Sequence, residues 1–125
     1  MLLSVSVKAQ GGIKPIADSG MIKLGANQVL RVTVAAGDLN GDDRMDVRFR
    51  QMEYMEQDNI YRISSASTSA AIALSSGEGA SMDIPNTGSP VRGVVLSNRG
   101  NAKIVFIVFD HSTDRVVAIC TFIPD

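Results

Sequence analysis

The chain has one cysteine, one histidine and no tryptophan in 125 residues. A lone cysteine, Cys120, excludes an internal disulfide framework and a cysteine-based metal cluster. The lone histidine sits in Asp110-His111-Ser112-Thr113-Asp114. Neighbours in one turn cannot adopt catalytic-triad geometry, which needs groups converging from separate elements. With no tryptophan and only Tyr54 and Tyr61, the chain lacks the stacking platform of many sugar and single-strand nucleic-acid sites. Twelve basic residues against thirteen acidic ones leave a net charge of −1, which argues against a field for nucleic acid or an anionic membrane. No apolar run approaches the roughly 18 residues that cross a bilayer. No phosphate loop is present, since Gly77-Glu78-Gly79 is too short to count. The start, Met1-Leu2-Leu3-Ser4-Val5-Ser6-Val7-Lys8, has no basic n-region, and its alternation is wrong for a signal peptide. The expectation is an unprocessed product of cytoplasmic synthesis, with a virion as one destination.

Sustained helical periodicity is also missing. What is present is alternation of apolar and polar residues broken by turns, the mark of half-buried strands. Leu3, Val5 and Val7 line one face of the first such segment, which ends at Gly11-Gly12. Residues 13–27, with Pro15, Gly20 and Gly25, read as loop or short strands, with 21–24 one candidate. Residues 28–36 put Leu30, Val32 and Val34 on one face, with Arg31 and Thr33 opposite. Residues 45–50 put Met45, Val47 and Phe49 inward and Arg48 and Arg50 outward. The phase slips after Gln51, which predicts a bulge, a strand end, or one helical turn over 52–57. Residues 59–64 and 70–74 are weaker strands, and the Ser65-Ala66-Ser67-Thr68-Ser69 tract between them is a loop or a solvated strand. Residues 80–84, 91–97, 102–110 and 115–123 complete the set, the last three as an antiparallel meander. Eight to ten short strands in one chain of this length predict a single all-β domain, an antiparallel β-sandwich of jelly-roll-like kind spanning residues 1–125.

The last two strands are apolar on both faces. Ile104, Phe106 and Val108 oppose Val105, Ile107 and Phe109, and Val117, Ile119 and Ile123 oppose Val116, Ala118, Cys120 and Phe122. A sandwich buries one face of each strand, so the second face calls for a loop of the same chain or another subunit.

One stretch carries ligand-type side chains at a regular spacing. Asp38, Asn40, Asp42 and Asp46 occupy positions 1, 3, 5 and 9 of a short loop that begins at Asp38. Alternate residues of a tight loop can turn oxygens toward one calcium ion, which takes six to eight of them. Position 7, Arg44, would give its carbonyl, and Gly41 relaxes the turn. The run Asp-x-Asn-Gly-Asp-x-x-x-Asp resembles the calcium loop of FG-GAP repeats and, more loosely, dockerin and EF-hand loops, over about residues 34–47. The resemblance implies Asp38, Asn40, Asp42 and Asp46 as side-chain ligands of Ca2+ and Arg44 as a carbonyl ligand. Asp43 stands where such loops usually carry Gly, and Phe49 where an EF-hand has its bidentate glutamate. The plain alternative is a solvated hairpin loop between residues 28–36 and 45–50, rich in Asp, Asn and Gly because turns are.

Arg44, Arg48 and Arg50 project beside that loop, either pairing with nearby carboxylates or meeting an acidic partner. Glu53, Glu56 and Asp58 read as solvated charges, and Cys120 as a buried thiol. The functional expectation is a non-catalytic structural protein that associates with itself or a larger assembly, such as a phage capsid decoration or cement protein. The alternative is a calcium-dependent recognition module, for example for carbohydrate.

Overall fold

The computed structural model describes residues 12–122. The expected strand at 3–8 and the end at Ile123 lie outside these residues. Nine strands form the described chain: β1 (Lys14–Asp18), β2 (Gln28–Ala36), β3 (Met45–Gln57), β4 (Ile60–Thr68), β5 (Ile72–Leu74), β6 (Gly79–Pro85), β7 (Val91–Ser97), β8 (Ala102–Asp110) and β9 (Arg115–Phe122). All pairings are antiparallel. One sheet, A, has the order β1-β7-β3-β4, with β5 also on β3; the other, B, has the order β6-β2-β8-β9. The chain is an all-β sandwich.

The core lies between the sheets and follows the alternation. Leu30, Val32 and Val34 from β2 meet Ile84, Ile104 and Phe106 in sheet B, and Met45, Val47, Phe49, Leu74, Val91 and Val95 face them from sheet A. Gly93 of β7 lets the sheets close: a Cβ there would stand 3.0 Å from Val32 Cγ2 and 3.2 Å from Ile84 Cδ1.

Several elements differ from the sequence reading. β1 is a strand despite Pro15, because it is a sheet edge, where a missing N–H is tolerated. Residues 21–24 contribute a single bridge, Ile22 to Val91. The 52–57 segment is strand, with no helical turn, and β3 runs unbroken against β7 from Val47 to Glu53. The phase slip has a different cause. Met52 and Tyr54 are buried on the outward face of sheet A, where they cluster with Val94 and Leu96. The bulge is real but sits in the pairing with β4, between Glu53 and Tyr54. The Ser/Ala/Thr tract is a solvated strand, since every residue of β4 is exposed. Of the last three strands, β8 and β9 form a hairpin, while β7 belongs to the opposite sheet. Its Asn98–Asn101 connection therefore crosses the sandwich. The acidic loop crosses too: β2 lies in sheet B and β3 in sheet A, so residues 37–44 form an arch between layers, where the sequence suggested a hairpin.

Candidate functional site

Two features stand out from the sandwich, the acidic arch and the far end of the β3–β4 hairpin. The arch is held by protein groups. Gly37 N–H donates to Asn101 O at 2.8 Å, and Asn101 Nδ2 donates back to Asp38 O. Leu39 exchanges both backbone bonds with the Ser76 hydroxyl, at 2.6 and 3.1 Å. Asp43 N–H closes a turn onto Asn40 O at 2.9 Å, with Gly41 at φ +55°. The Arg99 guanidinium donates to Arg44 O at 3.0 Å and lies 3.5 Å from the Asp43 carboxylate. Asp46 N–H donates to Asn98 Oδ1 at 2.9 Å.

The five expected calcium ligands, Asp38, Asn40, Asp42, Arg44 and Asp46, lie along this arch and into the start of β3. Asp38, Asn40, Asp42 and Arg44 are exposed, and Asp46 is half-buried. Among the described residues, no three Asp, Glu, His or Cys side chains converge as a metal cluster. The Arg44 carbonyl already accepts from a cation, and Asp43, which stands outside the ligand series, supplies the carboxylate nearest that cation. As folded here, the arch is closed by hydrogen bonds to residues 98–101. Sequence reasoning passed over Asn98, Arg99 and Asn101 because polar residues in a turn explain themselves. Their other role depends on β7 and β8 lying in different sheets.

The other weighed residues are apart. His111 is exposed in the β8–β9 turn, its N–H donating to Asn27 O at 2.9 Å. Cys120 is exposed, where burial was expected. It lies on β9 opposite Phe106 in the register. Arg48 and Arg50 are exposed on the outward face of sheet A. They border the cluster of Met52, Tyr54 and Val94, across which Arg92 reaches to bond both Asp18 and the Tyr54 hydroxyl, the latter at 3.1 Å. The Arg92 guanidinium holds the Asp18 carboxyl below its ordinary range, and Arg31 does the same to Asp83.

The hairpin end has no such support. β7 pairs with β3 only as far as Glu53, and Tyr54 N–H makes a last bond to Pro90 O at 2.9 Å. Beyond that point residues 55–57 and 60–62 pair with each other alone. Asp58 and Asn59 both have left-handed backbone, φ +55° and +65°, the two-residue turn that matches strand twist. Met55, Ile60, Tyr61 and Ile63 are 48, 50, 41 and 53% exposed. The register puts Tyr61 and Ile63 on one face of the ribbon, and Met55 and Ile60 on the other. The arm is thus apolar on both sides and covered on neither.

No helix long and apolar enough to cross a membrane occurs among the described residues. Comparison with protein-family models, with curated proteins and with solved structures gives no match.

Proposed function

We propose that the chain is a non-catalytic structural module that works by association with copies of itself or with a larger assembly. The projecting β3–β4 arm carries this reading. A two-stranded ribbon is marginal in water by itself, and four exposed apolar side chains at its end cost solvation that a partner surface would recover. β4 is also a terminal strand, nine residues long, with Arg62 its single charge. That is little of the charge or proline that usually guards an edge from pairing with another chain. A capsid decoration or cement protein of a phage-type virion is one setting for such a module: a compact β body contacting neighbours through an arm.

The test is light scattering after size exclusion, on the full chain and on a variant with Ile60, Tyr61 and Ile63 each replaced by Ser. The wild type should form a defined oligomer at micromolar concentration, and the variant should be monomeric with an unchanged circular dichroism spectrum. A wild type that stays monomeric at millimolar concentration overturns self-association, and co-purification with one partner would then identify the assembly.

A further inference from the structure

The outward face of β3 carries its charges in blocks. Every second residue along it reads Arg48, Arg50, Met52, Tyr54, Glu56, with Asp58 following in the turn. Two guanidinium groups, then a methionine and a tyrosine, then two carboxylates succeed one another. The alternate residues Met45, Val47 and Phe49 take the core side. Register keeps the series on one face of sheet A. Arg50 lies beside Val94 of β7 and Thr68 of β4, Met52 beside Arg92 and Ala66, Tyr54 beside Ile63, and Glu56 beside Tyr61. Arg48, Arg50, Glu56 and Asp58 are all exposed. Among the described residues the ion pairs are Arg31–Asp83, Arg92–Asp18 and Arg99–Asp43, and none of these four side chains takes part. Arg50 borders a groove of about 300 Å3, lined also by Pro15, Met52, Val94, Leu96 and the Arg92–Asp18 pair.

Within one molecule the two charged blocks cannot meet. Arg50 and Glu56 are six residues apart on an extended strand, about 20 Å. In a second copy running the other way they coincide. A two-fold axis level with Glu53 exchanges position 52 with 54, 50 with 56, and 48 with 58. We propose that two copies of this chain pack the outward faces of sheet A together about such an axis, each β3 antiparallel to the other. Arg50 then faces the partner's Glu56, and Arg48 the partner's Asp58. Met52 and Tyr54 lie at the centre. Ile63, 53% exposed in the single chain, comes over the partner's Ala66, and the end of each arm covers the other copy beside Arg50. Sheets packed face to face stand about 10 Å apart, a gap that an arginine and a glutamate side chain bridge together. The occupant is a second copy because the complement of each block stands on the same strand, as an isologous contact requires. This inference rests on the reading of the chain as a self-associating module, and supplies its surface and its symmetry.

The test exchanges the charges and follows the full chain by light scattering and sedimentation equilibrium. The wild type should be a dimer. Arg50→Glu and Glu56→Arg should each raise the dissociation constant at least about tenfold, since one substitution breaks two symmetry-related contacts. The double variant carrying both should return to within about threefold of the wild type, as a double-mutant cycle shows for residues in contact. Circular dichroism should be the same for all four chains, because both positions are exposed. A double variant no tighter than the single ones overturns the proposal. So does an oligomer that neither charge variant weakens. If replacing Ile60, Tyr61 and Ile63 by Ser still dissolves that oligomer, association through the arm stands and the two-fold face alone falls. A wild type that is monomeric at millimolar concentration overturns both.

Discussion

The Arg99 guanidinium bonds the main-chain oxygen of Arg44 at 3.0 Å, the oxygen that a calcium loop of this spacing would turn toward its ion. A metal taking that oxygen would compete with an organic cation already bonded to it. Calcium at millimolar concentration is therefore expected to move the melting temperature of the wild type little. Arg99→Ala should lower stability without metal and show a larger calcium-dependent rise, following ligand linkage. Thermal melts with calcium and with chelator check both. A wild type stabilised as strongly as Arg99→Ala would show that Arg99 does not hold the loop.

Gly37 and Gly41 separate two reasons for glycine in the same arch. A Cβ on Gly37 would stand 2.5 Å from Asn101 Oδ1 and 3.1 Å from Asn101 O, whereas Gly41 has open space and a left-handed φ of +55°. Gly37→Ala must push apart the two connections and is expected to cost about 1–3 kcal/mol, the range of overpacking. Gly41→Ala pays only the conformational penalty, about 1 kcal/mol. Urea denaturation of the two variants should rank them in that order.

Acid stability should track the two exposed arginine–aspartate pairs. Asp18 is lowered by the Arg92 hydrogen bond, and Asp83 by that of Arg31. A carboxyl with a depressed folded pKa contributes stability above its unfolded pKa of about 3.9, and that contribution is lost as pH falls through the folded value. Asp18→Asn should reduce stability at pH 7 by up to about 1 kcal/mol, given the solvent exposure of the pair. The difference from wild type should vanish at the acid end of the same pH series. A constant difference across all pH values would mean that packing, and not the charge, is what Asp18 provides.

The outward cluster of sheet A should behave as core. Met52 is 6% exposed beside Tyr54 and Val94, so Met52→Ala is expected to cost about 2–5 kcal/mol, comparable to Ile104→Ala. Met55→Ala, three residues along the same strand and 48% exposed, should change stability by less than about 0.5 kcal/mol. Chemical denaturation of the three variants decides it.

Alternation made β2, β6, β7, β8 and the first half of β3 legible, because one side of each faces a single core. It misled at Met52, where a second apolar cluster on the outer face inverts the expected phase. β1 could be read only as loop or short strand, because five residues containing a proline carry too little pattern. The acidic loop was legible as an unusual local composition. Its closure by residues 98–101 was not, because that contact depends on which sheet each strand joins. The arm was likewise hidden: Ile60, Tyr61 and Ile63 look like ordinary strand residues until β7 is seen to stop at Glu53.

The strand order has a consequence for the order of folding. β2 lies between β6 and β8, pairing Gln28 with Asp110 and Ala36 with Ala102, and β1 pairs Lys14 with Ser97. The early strands can be enclosed only after residues from the last third of the chain are available. β3 and β4, joined by a two-residue turn, can pair within microseconds. Such distant pairings place folding in the millisecond-to-second range typical of β-sandwiches. During synthesis the apolar faces of β1 and β2 would stay open while some 70 further residues are added, at roughly 5–20 per second. The same topology that builds a well-closed core thus leaves the nascent chain in need of protection for several seconds.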